Sequence, residues 1–290
     1  MSNTVDSKTR TQEFWDQNPC GSADTWERAR DVRFAVTDTY LEGFLSGPTL
    51  RGKDVLEIGC GQGLDASRIV EQCNSYVGID LSDESVQIAR HEVGRRKPES
   101  VNAEFLQGDA ENLPFPDKSF EAVYSIGVLH HTENFDQAMN EINRLLKRDG
   151  TLVLMLYRSY TPLWVVLRVV RGTLRIPLFG ARLRNRVLNA VRKKSANDTE
   201  SIAGTAIHEL VGCPIIDTYT YRGLRKKIGP DYEVDNISFH RTGIDQVVRI
   251  LPRWLRKRWP QASIEKVDGL LSSWLGFYLF MVATKRGEDV

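Results

Sequence analysis

The amino-acid sequence predicts an α/β fold in which helices cover both faces of a parallel sheet. Between residues 54 and 157, short apolar stretches of strand length alternate with longer amphipathic stretches of helix length. The strand stretches between residues 52 and 80 are mostly apolar, as expected for strands that are buried on both sides. The chain of 290 residues is long enough for one such domain with an insertion.

The pattern places the elements in the following order. Residues 1 to about 12 are polar, so we expect a frayed end, and a helical pattern then runs from 23 to 45 and stops at a Gly-Pro pair. The core strands are predicted at 54–58, 76–80, 102–107, 122–126 and 151–157, with helices at 64–73, 83–95 and 135–147. The alternation breaks off after 157 and resumes with a helix at 221–228 and strands near 232–239 and at 277–284. The break predicts a helical insertion between strands 5 and 6.

A glycine-rich loop follows the first strand. The stretch VLEIGCGQG ends its strand in an acid, Glu57, and continues with three glycines at alternate positions, Gly59, Gly61 and Gly63. Glycine lets the backbone turn sharply and approach a ligand without a Cβ in the way. A dinucleotide motif needs its third glycine at position 64, which is Leu64, so a pyrophosphate site is the weaker interpretation. We therefore expect a nucleotide-like cofactor against this loop.

Two further acids end the next two strands. Asp80 closes the second strand, where a carboxylate accepts hydrogen bonds from ribose hydroxyls. Asp109 follows the third strand and is placed to accept a hydrogen bond from an adenine amine. Open α/β sheets bind ligands at the carboxyl ends of their strands, so the loop and both acids are predicted to share one site.

Three motifs in this order resemble a known family. VLEIGCGQG, GID and GDAENLPFPDKSFEAVYSIGVLHH are similar to the motifs of class I S-adenosylmethionine-dependent methyltransferases, most of all to the small-molecule branch of methyltransferase type 11 and quinone-biosynthesis enzymes. The resemblance implies a Rossmann-like, seven-stranded sheet whose last strand is antiparallel. It implies S-adenosylmethionine as the cofactor and methyl transfer as the activity.

The resemblance also assigns cofactor contacts. The glycines would lie beneath the methionine part of the cofactor, Glu57 near its amino group, Asp80 on the ribose and Asp109 with Ala110 at the adenine. Cys60 belongs to the same loop as a small residue without chemistry of its own, and Leu81 and Ile126 are predicted apolar walls. The predicted cofactor-binding set is Glu57, Gly59, Cys60, Gly61, Gly63, Asp80, Leu81, Asp109, Ala110 and Ile126.

Three histidines are candidates for catalysis. The methyl group of the cofactor is already activated, so the protein mainly orients the acceptor, and a base is needed only when the acceptor loses a proton. His130 and His131 follow the fourth strand, at the edge where the acceptor is expected, and His208 would reach the cleft from the insertion. Each either acts as a base or has a hydrogen-bonding or capping role.

The charge of the chain is unevenly distributed. The first 150 residues hold 16 basic and 26 acidic side chains, whereas the remainder holds 23 basic and 12 acidic ones. Ten basic residues and no acidic residue lie between 158 and 197, and two amphipathic helices with basic faces are predicted within this segment. These helices would form a lid on the sheet, rest on an anionic membrane surface or bind RNA.

Composition and spacing exclude other classes of protein. The four cysteines are scattered without metal-ligand spacing, which predicts neither a disulfide framework nor a zinc site. A secretory signal and a membrane-spanning stretch are not indicated, so we expect a cytoplasmic protein. Peripheral contact at the inner membrane surface through residues 163–194 is one of the open alternatives for the basic helices.

The predicted organisation has four parts. They are an N-terminal helical cap (1–50), the cofactor-binding core (51–157), a basic helical lid (158–217) and the completion of the sheet (218–290). The predicted function is methyl transfer to a small, apolar or aromatic metabolite. The alternatives are an RNA methyltransferase that uses the basic helices and a cofactor-binding regulatory protein without an acceptor pocket.

Overall fold

A computed structural model shows a mixed sheet with helices on both sides. It describes residues 6–19, 25–34, 38–162, 164–165, 168–169, 172, 209, 213–242 and 261–287. The described strands are β1 Asp54–Ile58, β2 Ser75–Asp80, β3 Asn102–Gln107, β4 Phe120–Ile126, β5 Leu146–Tyr157, β6 Tyr232–His240 and β7 Tyr278–Lys285. The described helices are α1 Ser7–Gln17, α2 Trp26–Val32, α3 Thr39–Leu45, α4 Ala66–Ile69, α5 Asp83–Gly94, α6 Phe135–Leu145, α7 Tyr221–Ile228 and α8 Gln261–Leu275.

The strand order confirms the predicted sheet. It is β3-β2-β1-β4-β5-β7-β6, with β1 to β5 parallel and β7 inserted antiparallel between β5 and β6. This is the Rossmann-like, seven-stranded arrangement that the motifs imply. Because β1 to β4 are parallel and adjacent, the loops that follow them meet at one edge of the sheet, which we call the carboxyl edge.

The sheet separates two apolar cores. Side chains alternate between the faces of a strand, so Val55 of β1 packs in one core with α3 and α5, whereas Leu56 and Ile58 pack in the other with α6 and α7. All three side chains are buried. Glu57 lies between Leu56 and Ile58 and shares the face of Val55, which places a carboxyl group inside the first core.

The predicted frayed end is wrong for the residues from Ser7 onward. Helix α1 begins there and is held by partners far away in the sequence, because Ser7 donates a hydrogen bond to Glu133 and Lys8 pairs with Asp109. The polarity of this stretch suits a helix that lies on polar loops. Sequence polarity alone does not distinguish that arrangement from a disordered end.

Other boundaries also differ from the prediction. The helix expected over 23–45 is two helices, α2 and α3, and the one expected over 64–73 is helical only in α4, with turns around it. Apolar spacing is kept across a break, so periodicity does not locate one. Strand β5 begins at Leu146 rather than at 151. Helix α8 was not predicted. It leaves Leu270, Leu271 and Trp274 exposed, so its sequence lacks a continuous apolar stripe that is buried.

The basic segment falls largely outside this description. His208 and most of residues 163–194 are not among the described residues, so the predicted lid helices are not described. Within the described part of the chain, none of the helices combines the length and the apolar character that crossing a membrane requires.

Candidate functional site

The glycine loop after β1 is anchored to the neighbouring strand. The backbone N–H groups of Gly59 and Cys60 both donate to the carbonyl oxygen of Ile79, at 2.7 and 2.9 Å. On the other side of the loop, the indole Nε1 of Trp26 donates to the carbonyl oxygen of Gln62 at 2.8 Å. These bonds hold the loop at the carboxyl edge, as a cofactor-binding loop requires.

Glycine is required at the three positions of the loop for different structural reasons. All have a positive φ, 79° at Gly59, 51° at Gly61 and 79° at Gly63. A Cβ on Gly59 would lie 2.1 Å from a methyl group of Val128, and one on Gly63 would lie 2.7 Å from a methyl group of Val93. A Cβ on Gly61 would meet no atom within 4 Å. Gly59 and Gly63 therefore permit close packing, and Gly61 is the position that leaves the backbone open to a ligand.

Asp80 lies beside this open position. One carboxylate oxygen accepts the N–H of Gly61 at 2.8 Å, and the other accepts the N–H of Ser82 at 2.9 Å. Burial raises the pKa of Asp80, and these backbone donors oppose the shift. A carboxylate can accept about four hydrogen bonds, so Asp80 can hold the loop and still accept hydrogen bonds from ribose hydroxyls.

A buried polar network supports the loop from below. Tyr76 donates to Glu57 at 2.7 Å, and burial raises the pKa of Glu57 well above its usual range, with a further contribution from Asp65. The carboxylate of Asp65 in turn accepts two hydrogen bonds from the guanidinium of Arg33, at 2.5 and 2.7 Å, and one from the hydroxyl of Tyr124 at 2.9 Å. Glu57 thus lies in a network that joins β1, β2, β4 and the end of α2.

Helix α1 crosses the carboxyl edge above Asp109. The Nζ atom of Lys8 lies 2.7 Å from one carboxylate oxygen of Asp109, and the other oxygen accepts the N–H of Glu111 at 3.0 Å. Further along α1, the ring of Trp15 packs edge-on against His131, with centroids 5.2 Å apart. The helix therefore spans from the predicted adenine position to the predicted acceptor position.

The remaining predicted cofactor residues lie at the same edge. Leu81 directly follows Asp80, and Ile126 ends β4. Ala110 is buried next to Asp109, and Cys60 is buried in the glycine loop. The fold brings the whole predicted set to four successive strand ends, and the open approach at Gly61 together with the acceptor oxygens of Asp80 fits a nucleoside cofactor.

Two predicted histidines lie in a buried cluster with a glutamate. His130 and His131 end the short helical turn Leu129–His131 after β4, and both are buried. The Nδ1 atom of His131 lies 2.8 Å from the carbonyl oxygen of Ile215 and therefore donates to it, while Nε2 lies 3.8 Å from a carboxylate oxygen of Glu209. We call His130, His131 and Glu209 the His–Glu cluster.

Glu209 was not predicted from the sequence. It follows His208, the residue we proposed, and the structure describes Glu209 but not His208. Burial raises the pKa of Glu209 to about 7, and the hydroxyl of Tyr157 at the end of β5 donates to its carboxylate. Burial also lowers the pKa of His130 well below its usual range. Glu209 lies far along the chain from the two histidines, so the spacing of residues in the sequence gives no signal for it.

Residues 56–154 match the family model of a methyltransferase domain. A chain in a Haloferax volcanii complex that contains the Trm112 methyltransferase activator is similar in structure, with a TM-score of 0.57 and 18% identity over 95% of this chain and 99% of that one. The chain thus has the class I methyltransferase fold.

Two curated relatives are similar in sequence over part of their length. A fatty-acid O-methyltransferase of Mycolicibacterium smegmatis is 38% identical over 103 residues, 35% of this chain and 36% of the relative. A phthiotriol/phenolphthiotriol dimycocerosates methyltransferase of Mycobacterium tuberculosis is 36% identical over 134 residues, 46% of this chain and 45% of the relative. The chain therefore spans less than half the length of these two relatives. Residues 56–154 belong to the S-adenosylmethionine-dependent methyltransferases, whose cofactor is S-adenosylmethionine.

The different roles of the glycines give a first prediction. Gly61→Ala should cost about 1 kcal/mol of folding stability, because of its positive φ, yet weaken S-adenosylmethionine binding more than about tenfold by placing a methyl group in the open approach. Gly63→Ala should destabilise the fold more, because the new methyl group meets α5. Calorimetric binding and urea unfolding of both variants measure the two effects. Equal losses of stability with unchanged binding in Gly61→Ala would contradict the assignment.

Proposed function

We propose that this chain transfers the methyl group of S-adenosylmethionine to an oxygen atom of a small, lipid-like acceptor. The observation that carries the proposal is the meeting of two features at the carboxyl edge. One is the open glycine loop with Asp80, and the other is the buried His–Glu cluster after β4 and β5. The first supports cofactor binding, and the second offers an enclosed polar place for an acceptor atom.

The surroundings of the cluster favour an apolar acceptor with one polar group. Tyr157 packs on His130, with ring centroids 3.9 Å apart, and Trp15 packs on His131. A polar atom that enters such a site must find a hydrogen-bond partner there. We propose that the cluster holds the acceptor oxygen in line with the methyl group, since orientation of this kind supplies much of the rate of a transfer reaction.

Exposed apolar side chains support the same class of acceptor. The described residues with large exposed apolar side chains are Tyr160, Val165, Val169, Tyr221, Leu270, Leu271 and Trp274. The segment after β5 and the end of α8 are joined where Arg158 donates to the carbonyl oxygen of Trp274 at 3.0 Å. We propose that these two neighbouring segments contribute to an apolar acceptor site, since contiguous exposed apolar surface is typical of such sites. The substrates in the names of the two relatives, a fatty acid and a phthiotriol lipid, are of the same class.

Defined acceptors test this proposal. The chain is incubated with S-adenosylmethionine and a long-chain fatty acid, the matching fatty alcohol, or a fatty acid shorter by four methylenes, and products are measured by mass spectrometry. Each buried methylene contributes about 0.8 kcal/mol, so the acid shorter by four methylenes should lose roughly 200-fold in kcat/KM. Turnover independent of chain length, or none with either long-chain acceptor, would contradict a lipid-like acceptor.

No observation on the described residues favours the RNA alternative. It depends on the basic helices of the 158–217 segment, most of which the structure does not describe. We therefore do not propose it, and a catalytic role for His208 stays a prediction.

A further inference from the structure

We propose that the His–Glu cluster is a binding site for a divalent transition-metal ion, with His130, His131 and Glu209 as the three protein ligands. Each residue contributes one ligand atom, and these atoms lie within 4.8 Å of one another. Two imidazole nitrogens and a carboxylate oxygen are a ligand set that Zn²⁺ accepts, with a further position left for water or another oxygen.

The spacing of the ligand atoms suits a bound ion. Metal–ligand distances of about 2.0 to 2.2 Å in a tetrahedral site place the ligand atoms roughly 3.3 Å apart. The Nε2 atom of His131 and the nearer carboxylate oxygen of Glu209 are 3.8 Å apart. That separation is too long for a direct hydrogen bond, and small side-chain rotations would bring both atoms to a common ion.

The residues around the cluster orient the ligands as outer partners do in metal sites. Because a carbonyl oxygen only accepts, the hydrogen bond to Ile215 fixes the proton of His131 on Nδ1 and leaves the lone pair on Nε2, facing Glu209. The hydroxyl of Tyr157 donates to the carboxylate of Glu209 and holds it in place. A ligating histidine bonded to a backbone carbonyl and a ligating carboxylate bonded to a donor are the usual arrangement.

His130 provides an independent observation. Its side chain is completely buried, and neither ring nitrogen has a hydrogen-bond partner among the described residues. Buried polar groups are nearly always paired, and one that is not requires an explanation such as a bound water or ion. A metal ion shared with His131 and Glu209 satisfies one nitrogen of His130 and explains why three polar groups converge inside an aromatic enclosure.

This site has no spacing signal in the sequence, and the sequence alone predicts no zinc site. Glu209 is far from the two histidines along the chain and joins them only through the fold. The inference is independent of the proposed function, because metal binding is measured without S-adenosylmethionine or acceptor. Failure of either proposal leaves the other to be judged by its own experiment.

Zinc binding by the full chain tests the site. Purified protein is stripped with a chelator, titrated with Zn²⁺ in competition with a chromophoric chelator, and its metal content is measured by mass spectrometry. We expect one equivalent of Zn²⁺ per chain. Glu209→Gln should weaken binding by more than about 100-fold. Even the loss of a residue that only hydrogen-bonds to a metal ligand lowers metal affinity by about 10 to 100-fold. His91→Gln, which changes an exposed histidine of α5, is the matched control and should bind like the unmodified chain.

Two results would overturn the site. One is a dissociation constant of the unmodified chain weaker than about 1 µM, which falls short of a resident zinc site and needs no variant to interpret. The other is Zn²⁺ binding by a folded Glu209→Gln variant, checked by circular dichroism, that equals binding by His91→Gln. Either result would exclude a resident metal ion as the partner of His130.

Discussion

Replacing Asp80 by alanine is expected to lower the affinity for S-adenosylmethionine by about 100-fold or more. The change removes the proposed acceptor of the ribose hydroxyls and also the acceptor that holds the N–H of Gly61. Hydrogen bonds to a charged group contribute about 1.5 to 3 kcal/mol each. Losing the two ribose contacts therefore corresponds to a loss of affinity of about 100-fold or more. Isothermal titration calorimetry on the unmodified chain and the variant measures the difference.

Asp83→Ala is the matched control for this experiment. Asp83 begins α5, three residues after Asp80, and its side chain is exposed. Its removal should change cofactor affinity by no more than about twofold, since exposed charges interact weakly. A folded Asp80→Ala variant that binds S-adenosylmethionine as tightly as Asp83→Ala would show that the carboxyl edge at β2 does not hold the cofactor.

Replacing Asp65 by alanine is expected to lower the free energy of unfolding by about 3 kcal/mol. Asp65 is buried and is the shared acceptor of Arg33 and Tyr124. Breaking a buried ion pair by removing one partner costs about 3 to 5 kcal/mol, and the partial exposure of Arg33 places the expectation at the lower end. Urea denaturation followed by circular dichroism gives the value.

An exposed ion pair in α2 provides the control for the loss of stability in Asp65→Ala. Asp31 lies 3.3 Å from Arg30, and its side chain is largely exposed. Asp31→Ala should cost no more than about 0.5 kcal/mol, the usual contribution of an exposed pair. If Asp65→Ala and Asp31→Ala destabilise the chain equally, the network beneath the glycine loop does not stabilise the fold as the structure indicates.

The fold could be predicted because its signals are local. The apolar strand before Gly59, the acids at the ends of the next two strands and the alternation of strand and helix each occupy a few consecutive residues. Parallel pairing then brings them to one edge by geometry alone. The strand order and the antiparallel β7 agree with the family that those motifs resemble.

The parts that escaped prediction depend on contacts between distant residues. Glu209 joins His131 across the carboxyl edge, Arg33 reaches Asp65 from the end of α2, and Lys8 anchors a polar helix on Asp109. Each is an ordinary charged residue in its local sequence. Periodicity and spacing carry no information on which charged side chains the fold will bring together.

We propose that this chain methylates a lipid-like acceptor from S-adenosylmethionine. The most direct measurement uses cofactor with a labelled methyl group, incubated with the chain and with extract separated into lipids, polar metabolites and RNA. We expect label in the lipid fraction, lost with Asp80→Ala and kept with Asp83→Ala. Label confined to RNA or to polar metabolites, or label in lipids that Asp80→Ala leaves unchanged, would contradict the proposed function.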